Sequence, residues 1–450
     1  SGATELGSSV VTNNSDVSIT GTLTLLENTD VSIATSNGDI TVTGSTAGAA
    51  GAGNETLTLN AGTGQVSLAG VFGAGSTSNS GGLTDVTVTN SSTVSFGKID
   101  ITGALNQSNA ATGNTTFNGT TGVGSASLKG TNFSFNGFTS AGAVTIAASG
   151  SVTQQSGTKF TSTGNLNVSA NSLTFSDLVT GGQVDFNIDN DAVVTHAGNL
   201  TLDVDTGRNL TLTNTGSVAI TGSIGRDLSI TAENNAITST GITVAGASEY
   251  TGQSLDLVTS ATGEIVFAVD DDVEIQNDKA IVAEGSATNL SLTATSGTIT
   301  DSGDLKVTSA AVFKAEGTGG SVTLNNSGNE FGSLDVRSVG AVTVAEQGDS
   351  QLAAVSATAF TLNSTGTVTD GANAAISVSG LADITASGDV TLGNEAGDNI
   401  QLNSIEISAA GVVINDDSTD GLTVSDVSAN TFEVSSGGGI SSAANANIIV

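Results

Sequence analysis

The chain has 450 residues and a formal net charge of −34, from 43 Asp and Glu against nine Lys and Arg, with one His and no Cys, Pro, Met or Trp. The few cations are scattered singly, which excludes a grip on nucleic-acid phosphates or an anionic membrane. The lack of Cys excludes disulfides, and no apolar stretch reaches the ~18–20 residues of a membrane-spanning helix.

Proline removes a backbone donor and is kept out of paired strands. A chain without any leaves nearly every amide available to a ladder. Gly contributes 59 residues, and Ser, Thr, Asn, Ala and Val fill most of the rest. These are β-branched strand formers and turn residues. Ser1-Gly-Ala-Thr-Glu carries no basic or apolar leader, so the chain reads as a processed product or an excised piece.

In chain order, short alternating runs closed by a turn dominate. Val17-Ser-Ile-Thr-Gly and Asp39-Ile-Thr-Val-Thr-Gly open the series, and Asn209-Leu-Thr-Leu-Thr-Asn continues it. Apolar residues at every second position share one face, and Ser, Thr and Asn take the other. The stretch from Ala47 to Gly53 is broken by glycines and reads as a loop. To about residue 200 the repeats are degenerate, and beyond about residue 228 they are clearer. A segment beginning at Leu228 returns at Leu290, at Phe360 and at Phe432, at slightly unequal intervals. Gly320-Ser-Val-Thr-Leu-Asn-Asn likewise returns as Gly388-Asp-Val-Thr-Leu-Gly-Asn. A unit of roughly 60–72 residues suits about three coils of roughly 20–24 residues each. The last residues, Asn447-Ile-Ile-Val450, stop inside such a unit.

A lone alternating strand cannot bury its apolar face. Stacking coils buries it against the equivalent strands above and below, and Gly and Asn at the corners permit tight turns. The sequence therefore predicts an all-β, right-handed parallel β-helix (β-solenoid), one continuous domain over 1–450. About 20 coils at ~4.8 Å would make a rod on the order of 100 Å long. An array of antiparallel β-sandwiches is the alternative, but it needs ~100-residue units.

The phrases Gly320-Ser-Val-Thr-Leu-Asn-Asn-Ser-Gly-Asn-Glu-Phe-Gly-Ser-Leu-Asp-Val, Phe360-Thr-Leu-Asn-Ser-Thr-Gly-Thr-Val-Thr-Asp and Leu57-Thr-Leu-Asn-Ala-Gly-Thr-Gly-Gln-Val-Ser-Leu resemble the repeats of filamentous-haemagglutinin-like exoproteins. The resemblance is one of repeat style and covers most of the chain. It implies a right-handed parallel β-helix, secretion across an outer membrane and a role in adhesion or surface structure. The family's secretion domain carries Asn-Pro motifs, which a chain without proline lacks.

Candidate sites are few. Asp270, Asp271 and Asp272 form one acidic turn, Asp416, Asp417 and Asp420 another, and Asp189 with Asp191 a third. Calcium wants six to eight oxygens, of which such a turn supplies part. The first two turns are the candidate calcium sites, although no cofactor is required. His196, the single histidine, reads as an ordinary strand-end residue. Phe133, Phe135 and Phe138 read as core rather than as a sugar platform. Thr-x-Thr triplets such as Thr41/Thr43 and Thr298/Thr300 bring ice binding to mind, but their spacing is not one constant coil. No acid cluster has the cationic or His partner that a polysaccharide-acting enzyme would need, and no catalytic residue is nominated. The expectation is a non-enzymatic extracellular protein of the bacterial cell surface, sheath or matrix. It would self-associate head to tail, or else form the shaft or ligand-binding region of an adhesin that meets a glycan or cell-surface receptor.

Overall fold

The structure is a computed structural model that describes residues 2–49, 54–73 and 82–450, with the side chains of 109–112 left aside. Among the described residues every regular element is a β-strand, and every pairing with a defined register is parallel. The chain divides into two compact units, Ser1–Gly225 and Arg226–Val450. Each is a parallel β-solenoid, as the alternating runs predict.

Strands pair with strands one coil away, because a parallel partner needs a crossover and the rest of the coil provides it. In the first unit Leu166 pairs with Val184, Val184 with Leu202 and Leu202 with Ile220, in equal steps along the chain. Turns in this run are shorter than the sequence predicts, whereas earlier in the same unit they are longer, as from Leu57 to Val86. A coil's length is set by its three short strands and its corners, and these can stay constant while side chains vary. Leu200–Thr206 shows the resulting burial, strictly alternating between buried and exposed.

The core is a set of stacked side-chain columns. Leu, Ile and Val fill most of it, and their burial stabilises by about 1.5–3 kcal/mol per side chain. An aromatic column runs through the first unit. Phe96 stacks on Phe117 at 5.0 Å, Phe117 on Phe135 at 4.7 Å, Phe138 on Phe160 at 4.7 Å, and Phe160 meets Phe175 at 4.8 Å. Phe133, Phe135 and Phe138 are all buried, as the sequence predicts. Ala47 and Gly48, expected to begin a loop, instead belong to the strand Thr46–Gly48 on Leu23–Leu25, and Thr46 also pairs with Phe72. Column continuity outweighs the weak strand preference of Ala and Gly there. Residues 50–53 of that stretch lie outside the described residues.

The second unit has three strand-bearing sides, and its coils vary in length, short from Ser248 to Ile265 and long from Ile376 to Ile400. One side carries Leu228, Ser248 and Ile265 in successive turns, and Phe267 beside Ile265 pairs on with Gly285 and Gly285 with Leu305. The next carries Leu290, Ala311 and Leu334, and Val336 pairs on with Val355. The third carries Val342, Phe360, Ala382 and Ile405. Val368, Val390, Val412 and Phe432 then run up the first side again.

The four copies of the sequence repeat therefore begin on different sides: Leu228 on the first, Leu290 on the second, Phe360 on the third and Phe432 on the first once more. Each repeat holds ten strand segments, or three and one-third turns, which sharpens the expected figure of about three. Successive repeats are rotated by a third of a turn. Corners of varying length explain why unequal intervals in sequence all correspond to the same ten segments.

Candidate functional site

The acidic and amide side chains at the corners share one task. Asp or Asn accepts a backbone N–H from the neighbouring coil. Asp16 accepts from Asp39 N at 2.8 Å and Asp39 from Gln65 N at 2.8 Å. Asn132 accepts from Ser151 N at 2.8 Å, Asp349 from Thr367 N at 2.7 Å and Asp426 from Asn447 N at 2.7 Å. A corner interrupts the ladder, so its amides lack backbone acceptors, and the short Asx side chain supplies them. Much of the acid excess thus has a local structural use.

Of the candidate calcium residues, Asp416 and Asp417 follow this pattern, and the other four make different contacts. Asp271 accepts from the Gln253 side chain at 3.1 Å and Asp272 from Asn289 at 2.8 Å. Asp270 contributes its carbonyl to the Thr288 hydroxyl at 2.7 Å. Asp416 is buried at the end of Gly411–Asp416, where it takes Leu402 N at 2.9 Å and the Ser436 hydroxyl at 2.8 Å. Asp417 accepts from Ile400 N at 3.2 Å, and Asp420 donates its own N–H to Ser418 Oγ at 3.3 Å. Neighbours in sequence, these acids are directed to different partners. Among the described residues no group of three or more His, Cys, Asp or Glu is gathered in a metal-binding arrangement. Asp191 accepts from Asn209 N at 3.2 Å and lies 3.8 Å from Arg208.

His196 is at a strand end, as read from the sequence, and it is buried there. Nδ1 lies 2.9 Å from Asn214 Oδ1 and Nε2 3.2 Å from the Thr180 hydroxyl. The amide oxygen can only accept, so Nδ1 donates to it. Outward Thr residues stack in single file on one side of the second unit, through Thr300, Thr323, Thr343 and Thr361, and the file continues as Asp383 and Glu406.

Sequence reading missed the buried polar residues at inward strand ends. Asn277 donates Nδ2–H to Ala261 O at 3.0 Å and Ala280 O at 2.9 Å, and accepts from Ala261 N at 2.9 Å. Glu346 occupies the equivalent place one repeat further on and accepts from Phe331 N at 3.0 Å. Asp416 occupies it again in the repeat after that. Burial pushes the Glu346 carboxyl up to about 7, against the Ser350 hydroxyl and Phe331 amide beside it, which act to lower it. A signal was present. In Val342-Thr-Val-Ala-Glu346 the alternation that points Val342 and Val344 inward also points Glu346 inward.

Residues 270–336 and 339–404 each match a family model described as repeats of unknown function (DUF5649). No curated protein and no solved structure matches the chain.

Proposed function

We propose that this chain is an extracellular structural protein of the bacterial cell surface, sheath or matrix, serving as a shaft or fibre element built by stacking β-solenoid coils. The observation that carries this reading is the one-third-turn rotation between successive repeats. Any surface feature encoded in the repeat is presented on all three sides in rotation. A planar partner could engage only every third copy, whereas a load-bearing shaft needs no preferred side. The corner Asx caps and aromatic column support the same reading, since they hold each coil to the next.

Head-to-tail self-association is part of this proposal: stacked coils pair edge to edge, and a head-to-tail contact that does not close gives a filament.

The test is electron microscopy of the purified chain, metal-depleted and then with millimolar calcium. Filaments are the expected result, and calcium dependence would assign the cation to the acidic turns. Dispersed single particles in both conditions overturn self-assembly. Saturable binding of a glycan confined to one side of the solenoid would favour the adhesin reading instead.

A further inference from the structure

The two matched repeats differ at positions that close their corners. In the first, Asn329 is buried, donates Nδ2–H to Asp301 Oδ2 at 2.7 Å and accepts from Leu305 N at 2.8 Å. In the second, aligned on the starts of the two matches, Asp370 stands where Asp301 does and Asp398 where Asn329 does. Asp398 keeps the accepting half of the role, taking Ala374 N at 3.1 Å and Glu395 N at 2.8 Å. It has no N–H to give.

Asp370 accepts from Gly393 N at 2.7 Å through Oδ2, while its Oδ1 is buried without a partner. The same exchange of amide for acid occurs between Asn277 and Glu346. Glu346 is 2% exposed, and its Oε2 and the neighbouring Ser350 hydroxyl are both buried without a hydrogen bond of ordinary geometry. At both places a donor present in the first repeat is missing from the second.

At the Asp370–Asp398 pair what is missing is a hydrogen-bond donor. A calcium ion needs six to eight oxygens, and the other carboxylate oxygens of the Asp370–Asp398 pair already accept amides. A proton on Asp370, shared with Asp398, restores the bond that Asn329 makes. At Glu346 the Ser350 hydroxyl can itself donate to the carboxylate, so there it is burial that favours the protonated form.

We propose that the 339–404 repeat is a proton-responsive segment of the solenoid, closed like its neighbour when Glu346 and Asp370 carry protons and locally loosened when they ionise. Burial, and then the charge of Asp398, raises the Asp370 carboxyl. The charged group facing Glu346 is Asp349, which the Thr367 amide and hydroxyl hold below the usual carboxylate range, so it stays ionised. On the adjoining strand Glu330 and Lys306 pair with each other at 3.2 Å on the outer surface. Both buried carboxyls are raised above their unfolded values. Their contribution to stability is therefore complete below the ordinary carboxylate range and is lost as pH rises through about 7 for Glu346.

The experiment is hydrogen exchange of the full chain at pH 5.5 and 8, corrected for intrinsic rates. Protection of strands within 339–404 should fall by at least ~10-fold at pH 8, while strands within 270–336 hold theirs. A Glu346→Gln, Asp398→Asn variant should abolish the difference. A second variant, Asn277→Glu with Asn329→Asp, should confer the response on the first repeat and keeps the test decisive if the former does not fold. An equal pH response in both repeats, or one that neither variant moves, overturns the proposal.

Discussion

Gly44 sits at a corner where a Cβ would come within 2.1 Å of Gly21 O, and Gly70 stands in the same relation to Gly44 O. The coils approach so closely here that backbone carbonyl occupies the space of a side chain. Gly44→Ala should cost about 1–3 kcal/mol, read as a lowered midpoint in chemical denaturation. Phe135 is fully buried between Phe117 at 4.7 Å and Phe160 at 5.1 Å. Phe135→Ala should cost about 3–5 kcal/mol, because neighbouring coils are held apart by other stacked rings and cannot collapse into the void. A cost below ~1 kcal/mol would mean that the column repacks freely. These aromatic positions were legible from alternation alone. The glycine corner was not, since its partner lies a whole coil away.

The corner cap joins one coil to the next. Asn132 accepts from Ser151 N at 2.8 Å and donates to Asn114 Oδ1 at 2.9 Å, so one side chain ties three successive turns. Asn132→Ala leaves the Ser151 amide without its acceptor and should cost about 1 kcal/mol. Exchange of the amide protons near Ser151 should quicken, while that in distant coils stays unchanged. Asn132→Asp should retain the acceptor and recover most of the loss. Acidic turns such as Asp270–Asp272 were legible as clusters. Their caps were not, because each partner amide lies on another coil.

The one-third-turn rotation of the repeat makes the three sides of the second unit interchangeable. Removing one whole repeat of ten strand segments, residues 339–408, joins Ser338 to Ala409 and moves each later strand onto the preceding side. The shortened chain should fold, with a β-type circular dichroism spectrum and a cooperative melt, because each moved strand meets the neighbours its repeat equivalent had. Removing half a repeat, residues 339–373, juxtaposes unlike strands and should give an aggregating or uncooperative product. If the whole-repeat deletion fails as badly, the sides are specialised and the repeat phase has no structural meaning.

Sequence alone determined the fold class, because period-two alternation, absent proline and glycine-rich punctuation are local properties that only stacked coils can satisfy. It also determined the aromatic core and the existence of a long repeat spanning several coils. Tertiary structure decided how many strands that repeat spans, since corners of varying length conceal the coil boundary. It also decided which acids lie inside. Glu346, Asp370 and Asp416 share an inward register with Val and Leu. Their burial and their partners arise when one coil settles on another, and no short window of sequence contains both.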